Sequence, residues 1–333
     1  MTWNSDNMSN YDNPHEEIVR LLDGNIRALS KLITLVESDP QILASVYPVI
    51  KDVGGRSHIV GITGPPGAGK STLSSALASL IRDTGRTVAI LACDPSSPFT
   101  GGSVLGDRVR MQSHYTDPGV FIRSISSRGS SGGLSTSTYG ITTLLDAFGF
   151  DVVLLETVGV GQTELDVMKI SDTVVVVIVP ESGDSIQAMK AGLMEIADIF
   201  VVNKSDRIGA DRMVKDVTGA LQLSDNHAVN LPPVLKIRAD AGGGVPELLF
   251  EIDRIYSDLG SHDGFAIHKS RKRLEALRAT TLLEIESKLD MILDEENSGT
   301  NLEVTKLKKD VELGRIDPIS ASRTLVDLIK NLE

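Results

Sequence analysis

The sequence is poor in cysteine, in aromatic residues and in positive charge, and each shortage excludes something. Cys93 is the only cysteine among 333 residues, so no internal disulfide can form, as in proteins of a reducing cytosol. Aromatic residues make up 4%, so the core must be mainly aliphatic. The 33 Lys and Arg face 45 Asp and Glu, and the net charge of −12 argues against binding to nucleic acid or an anionic membrane.

Long apolar runs are also missing. No segment approaches the ~20 apolar residues that a membrane-spanning helix needs, and residues 1–14 are polar and acidic, unlike a signal peptide. Cys93 and the six histidines show no metal-ligand spacing. We interpret Cys93 and His114 as structural, because a lone Cys or His is more often packed than catalytic. We therefore expect a cytoplasmic protein with neither a membrane nor a nucleic-acid partner.

Short apolar runs alternate with helical patterns through the middle of the chain. The runs predict strands at 59–63, 87–93, 120–125, 151–155, 173–179, 198–202 and 233–237. The runs at 151–155 and 173–179 are almost unbroken β-branched or leucine sequences, typical of strands buried on both faces of a parallel sheet. The sequence predicts an α/β fold with a mostly parallel sheet flanked by helices, whose ligands bind at the carboxyl ends of the strands.

Both ends of the chain depart from this alternation. We predict a disordered tail at 1–14, a helical extension at 15–56, the α/β domain at 57–260 and a second helical extension at 261–333. An apolar stripe runs through the last extension, and it fits either a helix packed on the domain or a dimer-forming helix. A basic run in the same extension predicts a solvated helix face; its members are Lys269, Arg271, Lys272 and Arg273.

The sharpest local pattern follows the first predicted strand. Residues 64–71 read Gly-Pro-Pro-Gly-Ala-Gly-Lys-Ser and fit G-x-x-x-x-G-K-[ST], the phosphate-binding loop of P-loop NTPases. Its glycines let backbone N–H groups face phosphate oxygens, and the helix that follows adds its dipole. Lys70 would reach the β- and γ-phosphates, and the Ser71 hydroxyl would hold Mg²⁺. The predicted phosphate-binding residues are Gly64, Pro65, Pro66, Gly67, Ala68, Gly69, Lys70, Ser71 and Thr72.

A second pattern specifies the base. Asn203-Lys204-Ser205-Asp206 follows the predicted strand 198–202. A carboxylate there can accept hydrogen bonds from N1 and N2 of guanine, which adenine cannot offer, so we predict GTP over ATP. The segment after strand 233–237 is predicted to close over the base, with Arg238, Ala239 and Asp240 as nucleotide-binding residues.

Acidic residues follow two other strands. Glu156 ends strand 151–155 in Glu-Thr-Val-Gly, where P-loop NTPases keep the acid on the Mg²⁺ side, and Gly159 would sense the γ-phosphate. Asp94 and Asp107 flank a Pro/Gly/Ser-rich stretch, and both carboxylates could approach Mg²⁺, directly or through water. The stretch itself could be a switch that the γ-phosphate orders. With Lys70, the residues Glu156, Gly159 and Asp107 form the predicted catalytic set. The competing interpretations are a helix-capping acid for Glu156, an Asx turn for Asp94 and a helix N-cap for Asp107.

The loop after strand 173–179 leaves two interpretations open. Residues 180–190 read Pro-Glu-Ser-Gly-Asp-Ser-Ile-Gln-Ala-Met-Lys. This composition fits an exposed loop with a helix N-cap as well as it fits a functional segment.

Taken together, these motifs resemble the MeaB/ArgK family, the methylmalonyl-CoA mutase-associated GTPases of the metallochaperone-like branch. The resemblance covers roughly residues 15–330 and is most specific in Glu-Thr-Val-Gly-Val-Gly-Gln and Pro-Glu-Ser-Gly-Asp-Ser-Ile-Gln. It implies a GTPase that gates adenosylcobalamin delivery to an acyl-CoA mutase and protects that mutase, most simply methylmalonyl-CoA mutase. Cobalamin would be held by the partner, Mg²⁺ and GTP by this chain, and the C-terminal extension would form a homodimer.

The resemblance also assigns switches. Residues 94–108 would be the first, 156–166 the second and 180–190 a third that reads the partner, with Asp184, Gln187 and Lys190 as the residues to test. Two departures stand out: Ile237-Arg238-Ala239 replaces the usual Thr-Ser-Ala, and residues 128–133 read Arg-Gly-Ser-Ser-Gly-Gly where Arg-Gly-x-Leu-Gly-Gly is usual. A Ser side-chain contact to the base would be lost, whereas a backbone contact would survive.

Two other functions each require a feature that the sequence opposes or lacks. An ATP-dependent kinase tied to basic amino-acid transport would need ATP preference, which Asn203-Lys204-Ser205-Asp206 opposes. A metal-insertion GTPase of the same branch would usually need a Cys/His metal site, which one cysteine and scattered histidines do not provide.

Overall fold

The structure is a computed structural model of the chain. It describes residues 13–94, 114–126, 133–157, 168–180, 193–223, 231–260, 264–293 and 302–330. Predicted features outside these ranges are the N-terminal tail and the stretches 95–106, 158–166 and 181–190. The chain divides into two compact units, residues 1–276 and 277–333, and each is described by itself.

The first unit is built on one seven-stranded parallel sheet. The strands are β1 (His58–Thr63), β2 (Val88–Asp94), β3 (Val120–Ser126), β4 (Val152–Thr157), β5 (Thr173–Ile178), β6 (Ile199–Val202) and β7 (Val234–Lys236). They lie in the order β3-β2-β4-β1-β5-β6-β7, and every pair is parallel. The predicted α/β fold is therefore confirmed, and all seven strands lie within a residue or two of the predicted bounds.

Two layers of aliphatic side chains cover the sheet. Every residue of β1, β4, β5 and β6 is buried, as expected for strands packed on both faces. Period-2 alternation sends Ile62 and Val175 to one layer and Val174 and Val176 to the other. The helices of the unit are α1 (Pro14–Leu22), α2 (Ile26–Ser38), α3 (Ile42–Ile50), α4 (Lys70–Asp83), α5 (Gly133–Phe148), α6 (Ala210–Leu223), α7 (Val245–Gly260) and the start of α8 (Gly264–Leu293).

The N-terminal helices belong to one of these layers. Asn25 caps α2 by accepting hydrogen bonds from two backbone amides, and Leu29, Leu32 and Ile33 then recur at helical spacing and are fully buried. They share one apolar cluster with side chains of α5. Arg123 of β3 also reaches Glu37 at 3.2 Å, so the extension is fastened to the sheet.

The basic run on α8 is not the uniformly solvated face that its composition predicts. The Arg271 side chain is 79% exposed, but that of Lys269 is only 14% exposed because its Nζ lies 2.9 Å from Asp172 Oδ2. A short basic run cannot reveal this difference, because Asp172 lies 97 residues away along the chain.

The second unit contains the rest of α8 together with α9 (Leu302–Glu312) and α10 (Pro318–Lys330). Val304 of α9 and Ala321 of α10 are buried. Side chains of the predicted apolar stripe on α8 are exposed, including Leu277, Leu282 and Ile285. Along the described part of the chain, no helix has both the length and the apolar character needed to cross a membrane.

A candidate nucleotide site at the carboxyl ends of the strands

Residues 64–69 connect the end of β1 to the start of α4, as the phosphate-loop pattern predicts. Gly64 and Gly69 have φ of +141° and +89°, values that glycine adopts most readily. Both positions also lack room for a side chain, since a Cβ on Gly64 would meet the Val177 carbonyl and one on Gly69 would meet the Asn203 amide. The backbone geometry and the close neighbours thus both favour glycine at these two positions.

Lys70 is the first residue of α4, and only 6% of its surface is exposed. Its Nζ donates to the carbonyl oxygens of Gly64 at 2.8 Å and Pro65 at 3.0 Å. The amino group therefore lies across the loop that the sequence assigns to phosphate. A bound phosphate would exchange these neutral acceptors for charged ones, which form stronger hydrogen bonds.

Glu156 lies at the end of β4, beside Ile62 of β1, and is 7% exposed. Its Oε1 accepts a 2.6 Å hydrogen bond from Ser71 Oγ, and its Oε2 accepts a 2.9 Å bond from Ser74 Oγ. The structure thus brings together the two residues predicted on the Mg²⁺ side. The sequence interpretation missed Ser74, although it lies one turn after Ser71 on the same helix face.

The oxygen donors of this pair fit Mg²⁺. The ion prefers hydroxyl, carboxylate and phosphate oxygens and is commonly held by one or two carboxylates plus the substrate phosphates. Ser71 Oγ and Glu156 Oε1 supply one hydroxyl and one carboxylate from two rigid elements. Within the described residues, no group of three His, Cys, Asp or Glu side chains could hold a metal by itself.

The Asn203-Lys204-Ser205-Asp206 segment follows β6 and reaches back to the phosphate loop. Asn203 is buried; its Nδ2 donates to Ala68 O at 2.8 Å, and its Oδ1 accepts from the Ala239 amide at 3.2 Å. Lys204 adopts a left-handed φ of +56° and donates from Nζ to Gly67 O at 2.7 Å. Asn203 therefore connects the phosphate loop to the segment predicted to close over the base, and Lys204 adds a contact to the loop.

Asp206 is the residue predicted to read guanine. Its side chain is 46% exposed and lies 3.8 Å from Arg238, which also approaches Asp240 at 3.2 Å. A hydrogen bond from the Ser205 amide to Ile237 O, 3.1 Å long, holds the two loops side by side. Arg238 therefore lies beside the acid that the sequence predicts to read the base.

Several predicted residues lie wholly or partly outside the part of the chain that the structure describes. The structure describes the backbone of Asp94 at the end of β2 but not its side chain. Asp107, Gly159, Asp184, Gln187 and Lys190 lie outside the described residues. Cys93 and His114, interpreted as structural, are both buried, and His114 Nε2 lies 3.0 Å from Ser75 Oγ of α4.

A glycine loop between a parallel strand and a helix, a buried lysine at the helix start and an acid at the end of a neighbouring strand define a P-loop nucleotide-binding protein. The profile of the methylmalonyl Co-A mutase-associated GTPase MeaB family matches residues 29–292. The chain belongs to that family.

Individual relatives agree with this assignment. A Pyrococcus horikoshii protein named as a GTPase is 49% identical over 283 residues, covering 83% of this chain and 88% of that protein. The mouse mitochondrial methylmalonic aciduria type A homolog is 38% identical, over 68% of this chain and 59% of that protein. A crystal structure described as a LAO/AO transport system kinase superimposes with a TM-score of 0.71 at 26% identity, covering 96% of this chain and all of that one.

Proposed function

We propose that the protein binds and hydrolyses GTP and that this cycle gates the loading of adenosylcobalamin into an acyl-CoA mutase, such as methylmalonyl-CoA mutase, and protects that mutase. The observation that supports the proposal is the position of Asn203, which connects the phosphate loop to the base-closing segment in a family named for mutase-associated GTPases. The name of the mouse relative, which refers to methylmalonic aciduria, points to the same client.

Catalysis would come from positioning and charge rather than covalent work by the protein. Lys70 would move from the Gly64 and Pro65 carbonyls to the β- and γ-phosphates. Ser71 and Glu156 would hold Mg²⁺, which when bound neutralises developing phosphate charge. Of the remaining predicted catalytic residues, Gly159 would sense the γ-phosphate, and Asp107 would approach the Mg²⁺ side.

The switch and partner assignments stay proposals of the same kind. Residues 94–108 and 156–166 would respond to the γ-phosphate, and 180–190 would contact the mutase through Asp184, Gln187 and Lys190. The exposed apolar side chains of α8 support a homodimer formed by the C-terminal extension. We further propose a cytoplasmic location.

Base specificity is the first test. The variant Asp206→Asn replaces an acceptor of two guanine N–H bonds with an amide, whose N–H matches the additional carbonyl of xanthine. We expect the affinity for GDP to fall by about 10²-fold or more and the affinity for XDP to rise, because hydrogen bonds to a charged group contribute ~1.5–3 kcal/mol each. Calorimetry with GDP, XDP and ADP measures all three.

The same titrations address the kinase interpretation, which the name of the superimposed transport-system structure favours. Tighter binding of ADP than of GDP by the wild-type protein would refute the GTPase proposal. Asp211→Asn is the matched control for Asp206→Asn, because Asp211 is exposed and forms a surface ion pair with Lys236 at 2.6 Å. It should leave the affinities for all three nucleotides unchanged.

Mutase gating needs its own experiment. Purified methylmalonyl-CoA mutase should co-elute with this protein in at least one nucleotide state and should raise its GTP hydrolysis rate. Gln187→Ala and Lys190→Ala should reduce that stimulation while leaving hydrolysis by the protein alone unchanged. Absence of a complex with GDP, with a GTP analogue and without nucleotide would contradict the mutase proposal but not GTP hydrolysis.

A further inference from the structure

A second concave site lies at the amino ends of the strands, whereas the phosphate loop lies at their carboxyl ends. It is bordered by Ile59, near the start of β1, and by Asp172, just before β5. The end of α3, the turn at 54–55, one face of α5 and the start of α8 complete its walls. The cavity measures about 100 Å³, far below the roughly 300–1,000 Å³ of pockets that enclose drug-sized ligands.

Four cationic side chains line this cavity, namely those of Lys51, Lys269, Lys272 and Arg273. Lys269 is committed to Asp172 at 2.9 Å. Within the described residues, neither Lys51 nor Arg273 has a carboxylate within ion-pair distance, and the one hydrogen bond of Lys272 goes to the Lys169 carbonyl at 2.7 Å. Asp146 and Asp172 line the cavity as well, so its four cations and two carboxylates give the wall a formal net charge of +2.

The oxygen atoms of the two acids in the wall are already engaged in hydrogen bonds. Asp146 Oδ1 accepts from the backbone amides of Arg56 at 3.0 Å and Ser57 at 2.8 Å, and Oδ2 accepts from Gly55. Asp172 accepts from the Ile59 amide at 3.0 Å as well as from α8. An anion entering the cavity would meet the uncommitted cations rather than displace these bonds.

The surroundings of the cations favour an anion further. Burial lowers the pKa of Lys272, which means that its positive charge is under-compensated, and a bound anion would reverse that effect. Tyr139 also lines the cavity; burial raises its pKa, while the nearby charge of Arg273 acts in the opposite direction. A protonated phenol beside an arginine is a hydrogen-bond donor set suited to an oxyanion.

We propose that this cavity binds a small dianionic oxyanion of the phosphate class, held by Lys51, Lys272 and Arg273, at a site separate from the nucleotide. The group is either a free phosphate ion or the phosphoryl end of a larger molecule whose remainder lies in solvent. The proposal does not depend on GTP hydrolysis or on the identity of a client.

The test uses the full chain saturated with Mg²⁺ and a non-hydrolysable GTP analogue, so that the phosphate loop is filled. Inorganic phosphate is then titrated by calorimetry at constant ionic strength. The double variant Lys272→Gln/Arg273→Gln should bind phosphate at least about tenfold more weakly, because two charge-assisted contacts are lost. Arg271→Gln is the matched control on the same helix, since Arg271 is exposed and pairs with Glu275 at 3.0 Å, and it should change the affinity less than twofold.

Two further measurements address a misfolded double variant and the source of the phosphate group. If the double variant does not fold, Lys51→Gln at the exposed end of α3 should still weaken phosphate binding by about threefold or more. A glycerol 3-phosphate titration distinguishes the two sources: equal affinity supports free phosphate, and tighter binding supports a phosphoryl end. Absence of phosphate binding by the nucleotide-saturated wild type, or equal losses in Arg271→Gln and the double variant, would overturn the proposal.

Discussion

A buried carboxylate and a lysine occur both at the carboxyl ends of the strands, here called the carboxyl edge, and at their amino ends, here called the amino edge. The partners of these charges differ. At the carboxyl edge, Glu156 accepts from two serine hydroxyls and Lys70 donates to two carbonyls. At the amino edge, Asp172 accepts from Lys269 at 2.9 Å and from His268 at 3.1 Å. Neutral partners can be exchanged for a phosphate or a metal ion, whereas the opposite charges of Asp172 and Lys269 hold each other, so the first pair suits ligand binding and the second suits stability.

The largest expected effect tests the amino edge. Asp172→Asn should lower the free energy of unfolding by about 3–5 kcal/mol, because a buried lysine loses its counter-charge. Urea denaturation measures it, and the folded variant should bind GDP as the wild type does. Asp253→Asn, which breaks a partly exposed pair with Arg86, should cost no more than about 1 kcal/mol. Equal losses in the two variants would remove the special role of Asp172.

A pH titration gives the next effect. Burial lowers the pKa of His58 from 6.5 to about 4, against the opposing charge of Asp172. The folded state therefore favours neutral His58, and its contribution is complete above pH 6.5 and lost as the pH falls towards 4. The loss amounts to about 3 kcal/mol.

The variant His58→Asn should flatten the stability curve between pH 7 and pH 4, and His15→Asn, at an exposed position, should not. If stability depends on pH between 7 and 4 in the same way for His58→Asn as for the wild type, this dependence does not come from His58.

Asp172 affects stability at lower pH than His58 does. Burial alone would raise its pKa, but the bonds from His268 and Lys269 prevail and lower it, so its contribution is lost only below its usual pKa of 3.8.

The two ends of α4 sharpen the comparison at the carboxyl edge. Gly69 and Gly85 have nearly equal φ of +89° and +84°, so alanine costs each about 1–2 kcal/mol of backbone strain. Only at Gly69 would the new methyl group meet a neighbour, the Asn203 amide; at Gly85 nothing lies within 4 Å. We expect Gly69→Ala to weaken GDP binding by about tenfold or more, with Gly85→Ala near wild type, as measured by calorimetry. Similar affinities for both variants would mean that the loop tolerates the methyl group.

The smallest effect concerns Ser74. Ser74→Ala removes one hydroxyl from buried Glu156 and should cost about 1–3 kcal/mol of stability, with a raised Mg²⁺ requirement for hydrolysis. Ser79→Ala, an exposed position on the same helix, should cost less than about 0.5 kcal/mol. If Ser74→Ala needs the same Mg²⁺ concentration for hydrolysis as the wild type, the result argues against a role of Glu156 in binding Mg²⁺.

The sequence was most informative where the pattern is local. The run at β5 is so uniformly β-branched that it fits little besides a doubly buried strand, and the phosphate loop lies within eight residues. It was least informative where distant residues meet. Asn203 lies 135 positions from Ala68, and Asp172 lies 97 from Lys269, so neither bond follows from spacing. The left-handed φ of Lys204 also escapes prediction, because it arises from the loop rather than from the residue type.

Asn203 gives the nucleotide site a thermodynamic property beyond its contacts. One side chain contacts both the segment that would cover the base and the loop that would cover the phosphates, so ordering either half lowers the entropic cost of ordering the other. Guanosine and pyrophosphate, offered as separate fragments, would then bind with positive cooperativity. Linkage requires this coupling to be reciprocal, so each fragment would raise the affinity for the other by the same factor.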